Sequence, residues 1–225
     1  MQNLTLEISK MAPSKGITPE VIKDQFNWRK SLKFNSKTNY ITIIDIEEPV
    51  WWNRPLTSDT LIKLETDGLW SYNLPYIGNH PDFKTGYNLL LSKNSIAISL
   101  HIRLNPRWTP TQTNSLKDSL SDIVYQSLIE LGVKEEFLAC PKNDMLYKGK
   151  KFLGHEQKIA NGVLSQDAVL TLYYTPEKDL FERLTGKYAL SRGITGIIEE
   201  TNCFTKEQLI STIYNKFKLF TDTLE

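Results

Sequence analysis

Asn143-Asp144 is followed after six residues by Lys151, and Gly154 comes three residues later, all within the stretch "NDMLYKGKKFLGHEQ". An amide, a carboxylate, an ammonium and a glycine at that spacing are the parts of an anion-handling site. A lysine neutralises a phosphate as a point charge. An acid and an amide beside it can hold a magnesium ion or a ribose. Gly149, between Lys148 and Lys150, is suited to a hairpin turn. The segment therefore reads as two paired strands, "DMLY" and "KFLG", with Asn143-Asp144 opening the first and Lys151 near the start of the second. Such pairing brings one lysine and the Asn-Asp edge around a common pocket. The plainer reading is a polar hairpin whose lysines are solvated.

Other chemistry-bearing residues are sparse. Histidines occur at 80, 101 and 155, without the close spacing of a metal site. His101 and Arg103 alternate onto one face of a strand and are candidates for a pocket wall; a solvent-facing edge or a buried, hydrogen-bonded histidine is the plainer reading. The two cysteines, Cys140 and Cys203, form neither a disulfide framework nor a zinc motif; Cys203 is expected to be a buried or incidental thiol and Cys140 a packed one. Trp51-Trp52 suits either a partner surface or core packing beneath a loop.

These residues must be positioned by a fold, and the chain suggests which. "YITIIDI", Tyr40 to Ile46, is β-branched and apolar enough for a buried strand. In "SIAISLHIRL", Ile96, Ile98, Leu100, Ile102 and Leu104 take one face, while Ala97, Ser99, His101 and Arg103 take the other. Residues 115–131 carry Leu116, Leu120, Ile123, Val124, Leu128 and Leu131 at helical spacing, after a loop "NPRWTPTQTN" and before a helix-ending Gly132. "GVLSQDAVLTLYY" predicts one or two strands. Thr175-Pro176-Glu177 starts a short helix, and Thr205 with Gln208 forms a capping box for a terminal helix. Further short helices are expected at "TPEVIKDQF" and "SDTLIKLETDGLW", whereas Pro49 and Pro55 are expected to break regular structure around "EEPVWWNRP". Strands and helices mix without regular alternation, so the expected class is α+β: a mixed, mainly antiparallel sheet flanked by helices.

The chain has 225 residues, 40% hydrophobic and 24% charged, an ordinary globular composition. We expect one domain over residues 1–225, with 1–39 as an N-terminal segment of little regular pattern and 187–225 as a C-terminal helical segment packed on the core. A net charge of +1 offers no electrostatic support for a nucleic-acid partner. No apolar run approaches a membrane span, and "MQNLTLEISKMAPSKG" lacks the pattern of a signal peptide. A cytoplasmic protein without nucleic-acid or membrane partners is expected.

"PKNDMLYKGKKFLGHEQ" resembles the signature of the biotin and lipoate protein ligase family. Biotin ligases carry Pro-Asn-Asp, six residues, then Lys-x-x-Gly. Lipoate ligases carry Asn-Asp, a hairpin, then Lys-x-x-Gly-x-x-Gln. The likeness extends over about residues 114–220, where "SRGITGIIEETNCFTKEQLISTIYNKF" is similar to the segment and terminal helix that follow the lipoate-ligase hairpin. What the resemblance implies is a ligase-like catalytic module. Lys151 would be the essential positive charge, contacting the carboxyl and phosphate of an acyl-adenylate. Asn143 and Asp144 would hold the adenylate or its magnesium ion, with Asp144 as the metal ligand. Gly154 would let backbone approach the ligand, and Gln157 would lie in the pocket wall. The implied activity is that of a divergent lipoate- or octanoate-type protein ligase or acyltransferase. It would use ATP or an acyl carrier, take lipoate, octanoate or biotin, and modify a lysine of an acceptor protein domain. The alternative is a non-catalytic protein of that fold that binds a protein partner or small ligand. The chain lacks the glycine-rich cofactor loops of both ligase groups; the matching region, "YIGNHPDFKTGYNLLLSKN", has single glycines at Gly78 and Gly86. Glu156 stands where lipoate ligases commonly have a small residue.

Overall fold

The computed structural model describes residues 5–11, 39–46, 50–52, 89–91, 94–141, 143–160, 162–176, 179 and 193–224. Gly78, Gly86 and His80 lie outside them, as do the helices expected at "TPEVIKDQF" and "SDTLIKLETDGLW" and, apart from Asp179, the helix expected after Pro176.

β-Branched and apolar alternation makes the strands. β1 (Thr5–Met11), β2 (Tyr40–Ile46), β3 (Val50–Trp52), β4 (Leu89–Leu91) and β5 (Ser95–Arg103) come first. β6 (Leu138–Ala139), β7 (Asp144–Tyr147), β8 (Lys150–Ala160) and β9 (Val163–Thr171) follow. Seven of them form one sheet in the order β1-β2-β5-β9-β8-β7-β6. Only β1 and β2 run parallel; the other pairs in this sheet are antiparallel. "GVLSQDAVLTLYY" is thus a single strand, central in the sheet. β3 pairs with β4 in a separate two-stranded sheet. Val50–Trp52 therefore extends into a short strand, where a break was expected. Pro49 and Pro55 flank three residues that each retain a backbone N–H for pairing.

The described residues include the α-helices α1 (Pro110–Glu130), α2 (Ile197–Thr201) and α3 (Lys206–Asp222), and a single 3-10 turn at Glu135–Phe137. α1 begins five residues before the expected start, inside the supposed loop. Its first turn is exposed and polar, so hydrophobic spacing is silent there, and the start is set by chemistry at the cap. Thr109 accepts from the Gln112 amide N–H, the Gln112 side chain accepts from the Thr109 N–H, and Pro110 opens the helix. The same reciprocal box at Thr205 and Gln208 opens α3, as expected. Gly132, at φ +92°, turns the chain out of α1.

α1 and α3 cover one face of the sheet. Ile41, Ile43, Ile96, Ile98, Leu100 and Ile102 from β2 and β5 meet Leu116, Leu120, Val124 and Leu128 of α1 and Leu209, Ile213 and Phe217 of α3, all buried. Each such side chain contributes about 1.5–3 kcal/mol by leaving water. This is the α+β arrangement expected: a mixed, mainly antiparallel sheet flanked by helices. No helix among the described residues is long and apolar enough to cross a membrane.

Candidate functional site

The β7–β8 hairpin turns at Lys148 and Gly149, with φ of +48° and +80°. Two successive positive φ values give the turn whose twist matches paired strands, and glycine takes the second at no steric cost. The lysines of "YKGKK" then separate. Lys148 lies over the rings of Phe137 and Tyr147, 5.3 and 5.2 Å from their centroids. Lys150 is exposed, with its ammonium 3.7 Å from Glu200. Lys151 turns inward over the sheet, and its Nζ lies 3.0 Å from Asp144 Oδ1 with both side chains about four-fifths covered.

A β-bulge makes that contact possible. Asp144 pairs with Gly154 and Met145 with Leu153, but Leu146 pairs with Lys151, a register shift between Met145 and Leu146. Unbroken alternation would place Lys151 on the face of Leu153, toward the helices. The extra residue in β8 moves Lys151 to the face of Asp144 and Leu146, because a one-residue slip exchanges the faces of every residue beyond it. Gly154 completes the arrangement: a Cβ there would meet Lys151 Cε and Nζ at 3.2 Å and Asp144 Oδ1 at 3.5 Å.

This face of the sheet is polar. Register aligns Gly154, Val169 and Ala97 across it, then Glu156, Asp167 and Ser99, then Lys158, Ser165 and His101. Ser99, Ser165 and His101 are buried, and the Ser99 hydroxyl donates to Asp167. Glu156 and Asp167 place two carboxylates opposite each other on adjacent strands, next along from the Lys151 site.

The other sequence-derived candidates are distributed as follows. Asn143 is exposed at the entry to β7, and its carbonyl accepts from the His155 N–H at 2.8 Å. His101 shares the face of Gly154 but is four residues further along and two strands across, about 16 Å away by strand geometry. Arg103 is exposed at the end of β5, where its N–H donates to Asn39 Oδ1 at 3.0 Å. Gln157 belongs to the helix-covered face. Its Nε2 faces Lys117 O at 2.6 Å, Ser121 Oγ at 3.0 Å and Gln166 Oε1 at 2.8 Å, fastening β8 to α1. Asp144, Lys151 and Gly154 are thus brought together, with Asn143 adjacent; His101, Arg103 and Gln157 stand apart from them.

Spacing did not single out Asp167, whose alternation with Val169 inside β9 was the available signal, nor the segment Gly193–Thr195, which lies beside Lys151. Cys140, expected to be packed, is exposed, and Cys203, expected to be buried or incidental, is exposed too. Each sits in a short irregular connection outside the core, and Cys203 donates to Thr201 O at 3.1 Å. Partial desolvation, helped by the Asp122 charge, raises the Cys140 thiol above its ordinary range, a poor setting for a nucleophile.

Among the described residues no three His, Cys, Asp or Glu side chains are grouped to hold a metal. Asp144 is a single carboxylate already paired with an ammonium. A magnesium ion there would draw most of its oxygen ligands from a nucleotide's phosphates and from water, as magnesium commonly does.

No protein-family model matches the sequence, and no curated protein matches it. Solved structures do match the fold. A bi-partite lipoate protein ligase from Thermoplasma acidophilum superposes with a TM-score of 0.64 at 11% identity, over 96% of this chain and 83% of that one. The T. acidophilum protein with bound lipoic acid gives 0.63 at 12% identity, over 96% and 85%. A biotin protein ligase from Leishmania major in complex with biotin gives 0.54 at 11% identity, over 94% and 72%. The chain therefore has the fold of the lipoate and biotin protein ligases, reached with little of their sequence.

Proposed function

We propose that this chain is a divergent lipoate- or octanoate-type protein ligase or acyltransferase, which attaches an acyl group to a lysine of an acceptor domain. The observation that carries the reading is the Lys151 ammonium, 3.0 Å from Asp144 and laid over Gly154, where a side chain would crowd it. The neighbours extend it: one was solved with lipoic acid, one with ATP and one with biotin, and one was studied with its E2 lipoyl domain.

In the ligase form, a carboxylate oxygen of the acyl substrate attacks the α-phosphate of ATP and pyrophosphate leaves, giving an acyl-adenylate. The acceptor's lysine amine then attacks the acyl carbonyl and AMP leaves. Both steps build negative charge on oxygens at the acyl–phosphate junction. Lys151, held in advance by Asp144, offers a positive charge that need not reorganise as that charge develops, which is the main source of electrostatic catalysis. Gly154 leaves room for the end of the Lys151 side chain beside Asp144. Asp144 also holds the Lys151 ammonium across the hairpin.

The test is titration with a non-hydrolysable lipoyl- or biotinyl-adenylate analogue by calorimetry, wild type against Lys151→Ala. Binding by the wild type, weakened about tenfold or more in the variant, is the expected result; a tenfold loss corresponds to about 1.4 kcal/mol. Absence of binding by both proteins removes the ligase reading.

One observation favours a second reading. Glu156 and Asp167 add two carboxylates to the same face of the sheet, an unfavourable neighbourhood for a polyanion. On that reading the fold binds a protein partner or a small ligand without adenylating it. A folded wild type that ignores the adenylate analogue is the result that supports it.

A further inference from the structure

Lys151 sits at the bulge of β8, where the regular ladder to β7 is interrupted. Its main chain is gripped instead by a segment remote in sequence. The Lys151 N–H donates to Gly193 O at 3.1 Å, and the Lys151 carbonyl accepts from the Thr195 N–H at 2.9 Å. Together these make a parallel bridge between Lys151 and Ile194. Gly193, at φ +67°, lets the chain turn into this position.

The gripping segment is itself held by a buried carboxylate. The Ile194 N–H, between the two contacts to Lys151, points the other way and donates to Asp179 Oδ1 at 2.7 Å. Asp179 and Ile194 are both buried, and the Asp179 N–H donates to Thr175 O at 3.1 Å. A bond from an amide to an ionised carboxylate is about twice as strong as one between neutral groups. Shielding from water strengthens it further. On the far side, the Thr195 hydroxyl donates to Glu200 at 2.9 Å, and Glu200 also faces Lys150 at 3.7 Å. The segment is thus anchored on both sides of the lysine it holds.

We infer that Asp179 is a positioning residue for Lys151: through the Ile194 amide it fixes the 193–195 segment that clamps the Lys151 main chain at the bulge. The inference rests on the reading of Lys151 as the ligand-facing charge. Preorganised charge is sensitive to placement, and an error of 1 Å at a reacting centre costs up to about a hundredfold. A bulge without its outside partner gives Lys151 that freedom, because its N–H and carbonyl lose their partners together.

The experiment is a double-variant cycle on the whole chain. It uses Asp179→Ala, Asp179→Asn, Lys151→Ala and the Asp179→Ala/Lys151→Ala pair, and reads affinity for the lipoyl-adenylate analogue by calorimetry. Asp179→Ala is expected to weaken binding about tenfold. Asp179→Asn, which keeps an accepting oxygen, should return it to within about threefold of wild type. In the Lys151→Ala background, Asp179→Ala should cost nothing further, because the positioned group is gone. An equal loss in both backgrounds, or no loss while Lys151→Ala weakens binding, overturns the positioning role. No effect of Lys151→Ala itself overturns the reading beneath it. Should Asp179→Ala fail to fold, amide hydrogen exchange in Asp179→Ser, whose shorter side chain withdraws the acceptor from the Ile194 N–H, decides. Faster exchange confined to Lys151, Ile194 and Thr195 supports the inference, and unchanged or uniformly faster exchange overturns it.

Discussion

Gly154 stands directly across from Asp144 on the neighbouring strand, and the end of the Lys151 side chain lies where a side chain at 154 would begin. A β-carbon at 154 would come within 3.2 Å of Lys151 Cε and Nζ. Strand pairing, the ion pair and the glycine therefore form one device.

Gly154→Ala follows from it. The new methyl meets the far end of a flexible side chain, which yields at little cost, while alanine lowers the entropy of the unfolded chain. Folding stability should change by no more than about 1 kcal/mol. Lys151 is displaced, so affinity for the adenylate analogue should fall about tenfold. Urea denaturation and calorimetry on the same sample check both halves. A stable variant with unaltered affinity would show that the placement of Lys151 over residue 154 does not set binding.

Gln157→Ala should behave in the opposite way. The Gln157 amide joins β8 to α1 through Lys117 and Ser121 and to β9 through Gln166, on the far face from Lys151. Gln166 is buried and keeps its contact with Leu120 O. Truncation should cost about 1–3 kcal/mol of stability, because acceptors shielded from water lose a donor. Adenylate affinity should stay within about twofold. A selective loss of affinity would instead place Gln157 in the pocket wall that the sequence resemblance implies.

His155 makes stability depend on pH. Burial lowers its native pKa below the ordinary 6.5, the Asp144 charge opposing in part. The unfolded chain therefore binds this proton more readily than the native protein does. His155 thus makes no pH-dependent change above about pH 6.5, and stability falls as pH drops from there toward the depressed native value. Urea denaturation at about pH 7.5 and pH 5.5 should show this loss in the wild type and a smaller one in His155→Gln. Equal losses in the two proteins would assign the pH dependence to other groups.

Much of the scaffold was legible from local pattern alone. Alternating isoleucines mark β5, three- and four-residue leucine spacing marks the buried stripe of α1, Thr205 with Gln208 marks the start of α3, and Gly149 marks the hairpin. Each is a property of residues close in sequence, with strand, helix or turn geometry translating spacing into a shared face. The exposed first turn of α1 escaped that logic because a polar turn carries no apolar period. The short strand at Val50–Trp52 escaped because its partner, Leu89–Leu91, lies far along the chain. The site divides in the same way. By itself the sequence determined which residues lie on one hairpin: Asp144, Lys151 and Gly154. Only the tertiary structure decided that a bulge turns Lys151 toward Asp144, that Gln157 faces the helix, that His101 and Arg103 stand apart, and that Asp179 reaches Lys151 through residues 193–195. These outcomes depend on register across strands and on hydrogen bonds between distant segments, which no local period encodes.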